Sequence, residues 1–309
     1  MLSRVAENVY WMGRYLERVE DTARLVNSMT NLLLDLPRNV ELGWYELIKV
    51  IGAEENFQQC FPDSRDERSV MMFLINDTRN AHSIASCVNY ARENNRVTRD
   101  LIPFEVWEQV NELYHFVNKT GERALSRRQR NVYLRQVVLR CQTIMGILMG
   151  TITHDASYYF FRMGKNLERA DMSSRIIDVA AGNLLGEEEN HRSAFNGVRW
   201  MGVLRSLNAF QAYRLKGAIG VHSAEVLNFL FSDTQFPRSV GHCLESIRVH
   251  LELLPRCDEC IASVKELSMQ LQQSQGKKMT REIMHQFIDD LQLGLAQIHS
   301  CVSERYFRI

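Results

Sequence analysis

Proline is scarce in this chain: five residues in 309. Alternating β-branched runs are few as well, so little in the sequence reads as strand. Long apolar runs are missing. The longest uncharged, largely apolar stretch is Cys141–Thr153, too short to cross a bilayer as a helix. Net charge is missing too, since 37 basic residues balance 37 acidic ones. That excludes a general basic field able to gather nucleic acid or an anionic membrane, and neither is expected as a partner. Any anion binding must come from local placement of arginines. The seven cysteines are odd in number and lack framework spacing, which fits reduced thiols. Cys257-Asp258-Glu259-Cys260 is the one CxxC. It has no second pair for a zinc site and no βαβ context for redox chemistry, and reads as two incidental helix cysteines. There is no Gly-rich phosphate loop, zinc-hydrolase helix motif or nucleophile elbow. Met1–Glu7 carries charges where a signal peptide needs its apolar segment, so the expected location is cytoplasmic.

What the chain does have is apolar residues at three- and four-residue spacing almost throughout, the period of amphipathic helices. The spacing predicts helices near 3–35, 40–60, 66–76, 80–99, 103–119, 127–151, 153–185, 196–216, 222–232, 237–254, 257–274 and 279–306. Breaks fall at Leu36-Pro37, Phe61-Pro62, Ile102-Pro103, Phe236-Pro237 and Leu254-Pro255, and Gly182-Asn183 with Gly186 loosen the seventh helix. Pro103 and Pro237 are expected in first turns, where a missing N–H costs nothing.

One stretch occurs twice. Met12-Gly13-Arg14-Tyr15-Leu16-Glu17-Arg18 matches Met163-Gly164-Lys165-Asn166-Leu167-Glu168-Arg169, with Glu20 answering Asp171 and Arg24 answering Arg175. Further on, Phe73–Ile84 aligns with Phe229–Val240, Cys87 with Cys243, Arg92 with Arg248 and Trp44 with Trp200. The first match is offset by 151 residues and the later ones by 156, so about five residues enter the second half, most naturally at Gly186–Asn190. In both copies an Asp-Thr precedes a Ser as a turn-and-cap pattern, because their oxygens accept from free N–H groups at a helix start. The fold expected is all-α: one domain, residues 1–309. It is a bundle of about twelve helices built from halves 1–152 and 153–309 about a pseudo-two-fold axis.

On a helical wheel of residues 5–26, Met12, Tyr15, Leu16, Val19, Ala23 and Val26 form an apolar stripe. Glu7, Tyr10, Gly13, Arg14, Glu17, Arg18, Asp21 and Arg24 lie opposite. A solvated face is the default, but the second copy carries Phe161, Gly164 and Met172 there. A mid-helix glycine also costs roughly 1 kcal/mol. The face is therefore expected to be buried or to line a cleft, with its charges paired. Glu17 with Arg169, and Glu168 with Arg18, suit an ion-pair network between the halves. Alternatively, arginine forks there would grip a carboxylate or phosphate while Glu17, Glu168 or Glu20 acts as base. A dimetal reading of Glu17/Glu20, Glu168/Asp171 and His222/Glu225 is disfavoured by the adjacent arginines and by the lack of Glu-x-x-His on these helices. Arg92, Arg96 and Arg99 form a basic stripe that is either solvated or part of an anion cleft; Arg205, Tyr213 and Arg214 are similar candidates. Asp155 reads as a helix cap.

Ser3–Arg18 closely resembles the opening block of the bacterial alpha-E domain family. Ala91-Arg92-Glu93-Asn94, Met163–Ala170 and Phe236–Val240 resemble its later blocks, so the likeness spans the chain. Ala81-His82 stands where that family tends to have a proline before Ser-Ile, and Lys165 where it usually has arginine. The resemblance implies an all-helical protein without an established activity. It also implies association with a circularly permuted ATP-grasp protein and with transglutaminase-like proteins, hence a part in making or processing an amide or peptide bond. The chain would need no cofactor of its own, ATP and Mg²⁺ being used by the ATP-grasp partner; self-association is left open. Carried over, the candidate residues are Glu7, Arg14, Glu17, Arg18, Glu20, Arg24, Arg92, Glu93, Lys165, Glu168, Arg169, Arg205 and Arg238. They would bind an aminoacyl, peptidyl or phosphorylated intermediate or the partner enzyme, act on an acyl or peptide substrate, or merely brace a scaffold.

Overall fold

A computed structural model describes residues 2–35, 43–184, 193–217, 220–273 and 280–308, and among them the chain is helical with no strand. The α-helices are α1 (Ser3–Asp35), α2 (Glu46–Val50), α3 (Glu54–Cys60), α4 (Glu67–Ile75), α5 (Ile84–Val97), α6 (Phe104–Thr120), α7 (Arg127–Thr151), α8 (Ala156–Leu184), α9 (Ser193–Ser206), α10 (Phe210–Leu215), α11 (Ser223–Ser232), α12 (Val240–Glu252), α13 (Asp258–Gln273) and α14 (Arg281–Val302). A 3-10 turn, Gly121–Leu125, precedes α7, and a π-helical turn, Ser303–Phe307, follows α14. The Leu36-Pro37 break and the Gly186–Asn190 segment lie outside the described residues.

Among the described residues fourteen α-helices stand where about twelve are expected, because two spans each break at a left-handed residue. The 40–60 span divides at Gly52 (φ 63°) and the 196–216 span at Asn208 (φ 54°). Glycine, and after it asparagine, enters that region at least cost. The chain then closes the same loop in both places: Ala53 N–H donates to the Ile48 carbonyl and Ala209 N–H to that of Leu204. α5 and α12 start later than periodicity suggests, since the turn-and-cap residues come first. Ser83 Oγ accepts from Ser86 N–H and Ser239 Oγ from His242 N–H, each at 3.1 Å. Pro103 is the N-cap of α6 and Pro237 lies in the turn ahead of Ser239, so neither occupies a first helical turn.

The chain forms two compact units, residues 1–165 and 166–308, with the division inside α8. In the first unit α1 packs against α5 and α7, and α6 closes on the same two helices. The predicted stripe supplies this core: Met12, Leu16, Val19, Ala23 and Val26 are buried, each larger side chain contributing about 1.5–3 kcal/mol. Tyr15 departs from the stripe and is only half-buried. A buried arginine braces the unit. Arg130 donates to Glu67 Oε1 at 2.6 Å and to the Ala124 carbonyl at 2.8 Å, and lies over the Trp44 ring.

In the second unit α12 packs on α11 and α13, and α13 on α14. Tyr213 on α10 meets Phe229 on α11 edge to face at 5.7 Å. Phe57 and Phe73, their counterparts 156 positions earlier, make the same contact at 5.1 Å. The reading of seven reduced cysteines is corrected here. Cys260 forms a disulfide with Cys301, 41 residues away, tying α13 to α14. The antiparallel return of α14 supplies a partner that local spacing could not reveal. No helix among the described residues is long and apolar enough to cross a membrane.

Candidate functional site

α1 carries its polar residues on two adjoining strips with different fates. The first is buried: Tyr10, Gly13, Glu17, Glu20 and Asp21 are shut from solvent, Glu17 being 2% exposed. Burial of this face is what the glycines require. A Cβ on Gly13 would lie 2.5 Å from the carbonyl oxygen of Phe161 in α8, and one on Gly164 would lie 2.1 Å from that of Tyr10. The contact is reciprocal, each glycine receiving the carbonyl of the residue three positions before the other. α1 and the start of α8 therefore cross backbone to backbone, with no room for a side chain.

Three carboxylates are buried beside this crossing, and at least one has its counter-ion on the same helix. Arg24 Nε donates to Glu20 Oε1 at 2.9 Å, one turn away. The Cys141 thiol of α7 faces the same strip. Burial pushes its pKa well above the usual thiol value, with the Glu20 and Glu17 carboxylates adding to the rise. A thiol so placed is held as S–H and is a poor nucleophile. Tyr133, about two turns earlier on α7, is also buried, and burial pushes its phenol up.

The second strip is half-exposed and combines arginines with aromatics. Trp11 and Tyr15 stack at 5.4 Å, Arg14 lies over Trp11 at 5.0 Å, and Tyr15 meets Tyr90 of α5 at 5.2 Å. Arg18 Nη1 donates to His82 Nδ1 at 2.7 Å, in the turn that leads into α5. The guanidinium can only donate, so this bond requires an unprotonated Nδ1. The Tyr15 phenol is raised, chiefly by burial and secondarily by Cys87. Glu7 and Lys165 are half-buried on their own helices. Trp11, Tyr15, His82 and Tyr90 are absent from the sequence candidates. Only the i,i+4 spacing of Trp11 with Tyr15 and of Arg14 with Arg18 hinted at the pair of rows.

Arg92 does not join this strip. It faces α6, where it donates to Asn111 Oδ1 at 2.7 Å, lies over Tyr114 at 4.7 Å and Trp107 at 5.6 Å, and pairs with Glu93. Tyr90 and Arg92 are two residues apart, roughly 200° round the helix, which separates them. Arg96 and Arg99 are exposed and take Glu93 and Asp100 as partners, a solvated face.

Within the second unit, the later part of α8 repeats several of these contacts. Glu168 is 1% exposed, as buried as Glu17. Arg169 Nη1 donates to the Pro237 carbonyl at 3.3 Å, and Ser173 Oγ donates to the carbonyl of Arg238 at 3.0 Å. Arg169 thus reaches the turn that carries Arg238, and Arg238 is itself buried. The turn at 237–238 aligns with 81–82, so each Glu-Arg pair sends its arginine to the turn ahead of a serine-capped helix. Asn166 donates to Ser246 at 3.0 Å where the first unit has Tyr15 against Tyr90, and Arg175 pairs with Asp171 as Arg24 does with Glu20. Cys87 and Cys243 donate to the carbonyls of Ala81 and Pro237 respectively. Arg205 is exposed and lies over Phe210 at 5.7 Å; Arg214 lies over the same ring. Tyr213 Oη donates to Glu225, and Asp155 caps α8 by accepting from Ser157 N–H. Among the described residues no three His, Cys, Asp or Glu side chains converge as a metal site.

A family model described as a predicted alpha-helical domain with a conserved ER motif matches residues 1–307. The Glu-Arg pairs at 17–18 and 168–169 fit that description. No curated protein and no solved structure matches the chain.

Proposed function

The chain belongs to the Alpha-E family, and we propose that it is the non-catalytic binding component of an ATP-grasp-linked system that forms or modifies peptide or amide bonds. In this reading a circularly permuted ATP-grasp protein uses ATP and Mg²⁺. The α1 strip of Trp11, Arg14, Tyr15 and Arg18, with Tyr90 and His82, holds that enzyme or its aminoacyl, peptidyl or phosphorylated intermediate. Arg14 over the Trp11 ring, with Arg18 one turn on, suits an anion, since a guanidinium fork takes carboxylate or phosphate in two-point fashion and can stack as it does so.

The observation that carries this reading over a stand-alone enzyme is the split fate of the first Glu-Arg pair, Glu17 and Arg18; in the second, Arg169 is buried along with Glu168. A general base must come within hydrogen-bond reach of the proton it removes. Glu17 and Glu168 are 2% and 1% exposed, whereas Arg14 and Arg18 keep a partly exposed face. We assign the glutamates to the framework and the outer arginines to binding. The same burial supports a duplicated ancestral half: the reciprocal glycine contact and the matched turns are what two copies folding alike would give. The crossing of α1 with the start of α8 would then carry a local two-fold.

The test is isothermal titration of the chain with the ATP-grasp partner, together with amide-forming turnover of each protein alone and mixed. Arg14→Ala with Arg18→Ala is expected to weaken binding at least tenfold, while Trp11→Ala weakens it less. Turnover by the chain alone, lost in Glu17→Gln, would refute the binding role. Unchanged affinity in the arginine variants would instead leave the chain as a scaffold.

A further inference from the structure

The Cys260–Cys301 disulfide has a third cysteine beside it. Cys257 is the residue before the first turn of α13; its carbonyl accepts from Ile261 N–H at 2.9 Å, and it stands one turn ahead of Cys260. It is a free, partly exposed thiol. Cys260 is fully buried and Cys301 half-exposed. The C-terminal π-helical turn is fastened to the same short stretch. Tyr306 Oη donates to the Pro255 carbonyl at 2.9 Å, and Arg305 is paired with Glu259. The Tyr306 phenol is pushed up to about 12, first by burial and then by its nearness to Cys257. Arg256, immediately before Cys257, is held in the left-handed region at φ 57°, a conformation that costs a non-glycine residue. One disulfide among five free cysteines differs from the fully paired frameworks that staple small secreted domains.

We propose that Cys257, Cys260 and Cys301 form a thiol–disulfide exchange site, in which the bond moves from Cys260–Cys301 to Cys257–Cys260 and the freed Cys301 reacts with a small aliphatic disulfide. In the first step the Cys257 thiolate, its proton given to solvent, attacks Cys260 Sγ. A Cys257–Cys260 bond forms, the Cys260–Cys301 bond breaks, and Cys301 leaves as thiolate. No external oxidant or reductant is consumed. In the second step Cys301 attacks one sulfur of the small disulfide, giving a mixed disulfide and releasing the other half as thiolate. Residues at i and i+3 are neighbours along a helical turn, so the partly exposed Cys257 stands next to Cys260, whose buried sulfur a dissolved thiol reaches poorly. The first step removes the covalent tie that holds the C-terminal turn against Pro255–Glu259, so the state of the disulfide is written into the docking of that turn.

The experiment maps thiols and disulfides by mass spectrometry without reductant. The full chain is incubated at about pH 8 with N-ethylmaleimide, or with oxidised glutathione as the small disulfide, then quenched in acid and digested. Expected products are a Cys257–Cys260 peptide together with Cys301 carrying the maleimide or glutathione. In Cys257→Ser the Cys260–Cys301 bond should persist and Cys301 labelling should slow at least tenfold. With oxidised glutathione taking up the two electrons, Cys301→Ser should form a Cys257–Cys260 bond and release two molecules of reduced glutathione. Labelling of Cys257 with Cys260–Cys301 intact and no Cys257–Cys260 species in the unsubstituted chain would overturn the proposal. So would Cys301 labelling at an unchanged rate in Cys257→Ser, or three reduced thiols at the outset. The unsubstituted chain decides the matter by itself should a variant fail to fold, which circular dichroism would reveal.

Discussion

Replacing Gly13 by alanine puts the helix crossing to a quantitative test. Alanine is the better helix former by about 1 kcal/mol, so on an open surface the change would stabilise α1. At this position the new methyl carbon would lie 2.5 Å from the Phe161 carbonyl oxygen and 3.1 Å from the Lys165 nitrogen, where ordinary contact begins at 3.4 Å. Both obstacles are backbone atoms that no rotamer change can move. α1 and α8 must therefore part by roughly 1 Å, and overpacking of this kind costs about 1–3 kcal/mol, the upper end applying where backbone must shift. The expected net loss is about 1–2 kcal/mol for Gly13→Ala. Gly164→Ala, with its methyl 2.1 Å from the Tyr10 carbonyl oxygen, should lose about 2 kcal/mol or more. The double variant should lose less than the sum, because one separation of the helices relieves both clashes. Gly146 on α7 is the control. Nothing lies within 4 Å of a Cβ built there, so Gly146→Ala should gain about 0.5–1 kcal/mol. Urea unfolding followed by far-ultraviolet circular dichroism reads all four variants. A Gly13→Ala midpoint at or above that of Gly146→Ala would refute the close crossing.

Arg130→Ala should cost about 2–4 kcal/mol by leaving the Ala124 carbonyl without this donor and Glu67 with Arg127 in place of two arginines, measured by the same unfolding curves. Burial alone would raise the Glu67 pKa, but hydrogen bonds and charge from Arg127 and Arg130 outweigh it and the net shift is downward. A depressed carboxylate contributes stability that is present above its unfolded pKa and lost as pH falls through the lower folded one. Wild-type stability should therefore drop through that acid window by more than that of Arg130→Ala, and equal slopes would contradict the pairing. Ser83→Ala and Ser239→Ala should each cost about 1 kcal/mol in thermal or urea melts, and a marked inequality would argue against equivalent caps. Arg256→Gly should stabilise by up to about 1 kcal/mol through release of a left-handed arginine, with a lowered urea midpoint as the refuting result.

The all-α class, the core stripe of α1 and the serine caps could be read from local chemistry, because periodicity, proline placement and Asp-Thr…Ser spacing act within a few residues. The glycines at 13 and 164 likewise pointed to a close approach, because they recur at matching places in the repeated stretch on a face that otherwise carries large side chains. Sequence could also place Glu17 beside Arg18, but could not tell that one turns inward while the other reaches His82. A helix brings successive side chains about 100° apart, and which sector meets protein or water depends on neighbours far along the chain. Tertiary structure alone turned Arg92 toward α6 and away from Arg14, set Tyr90 against Tyr15, and carried Cys301 to Cys260. Each pairing depends on how whole helices return past one another, information spread over dozens of residues and held in no single motif.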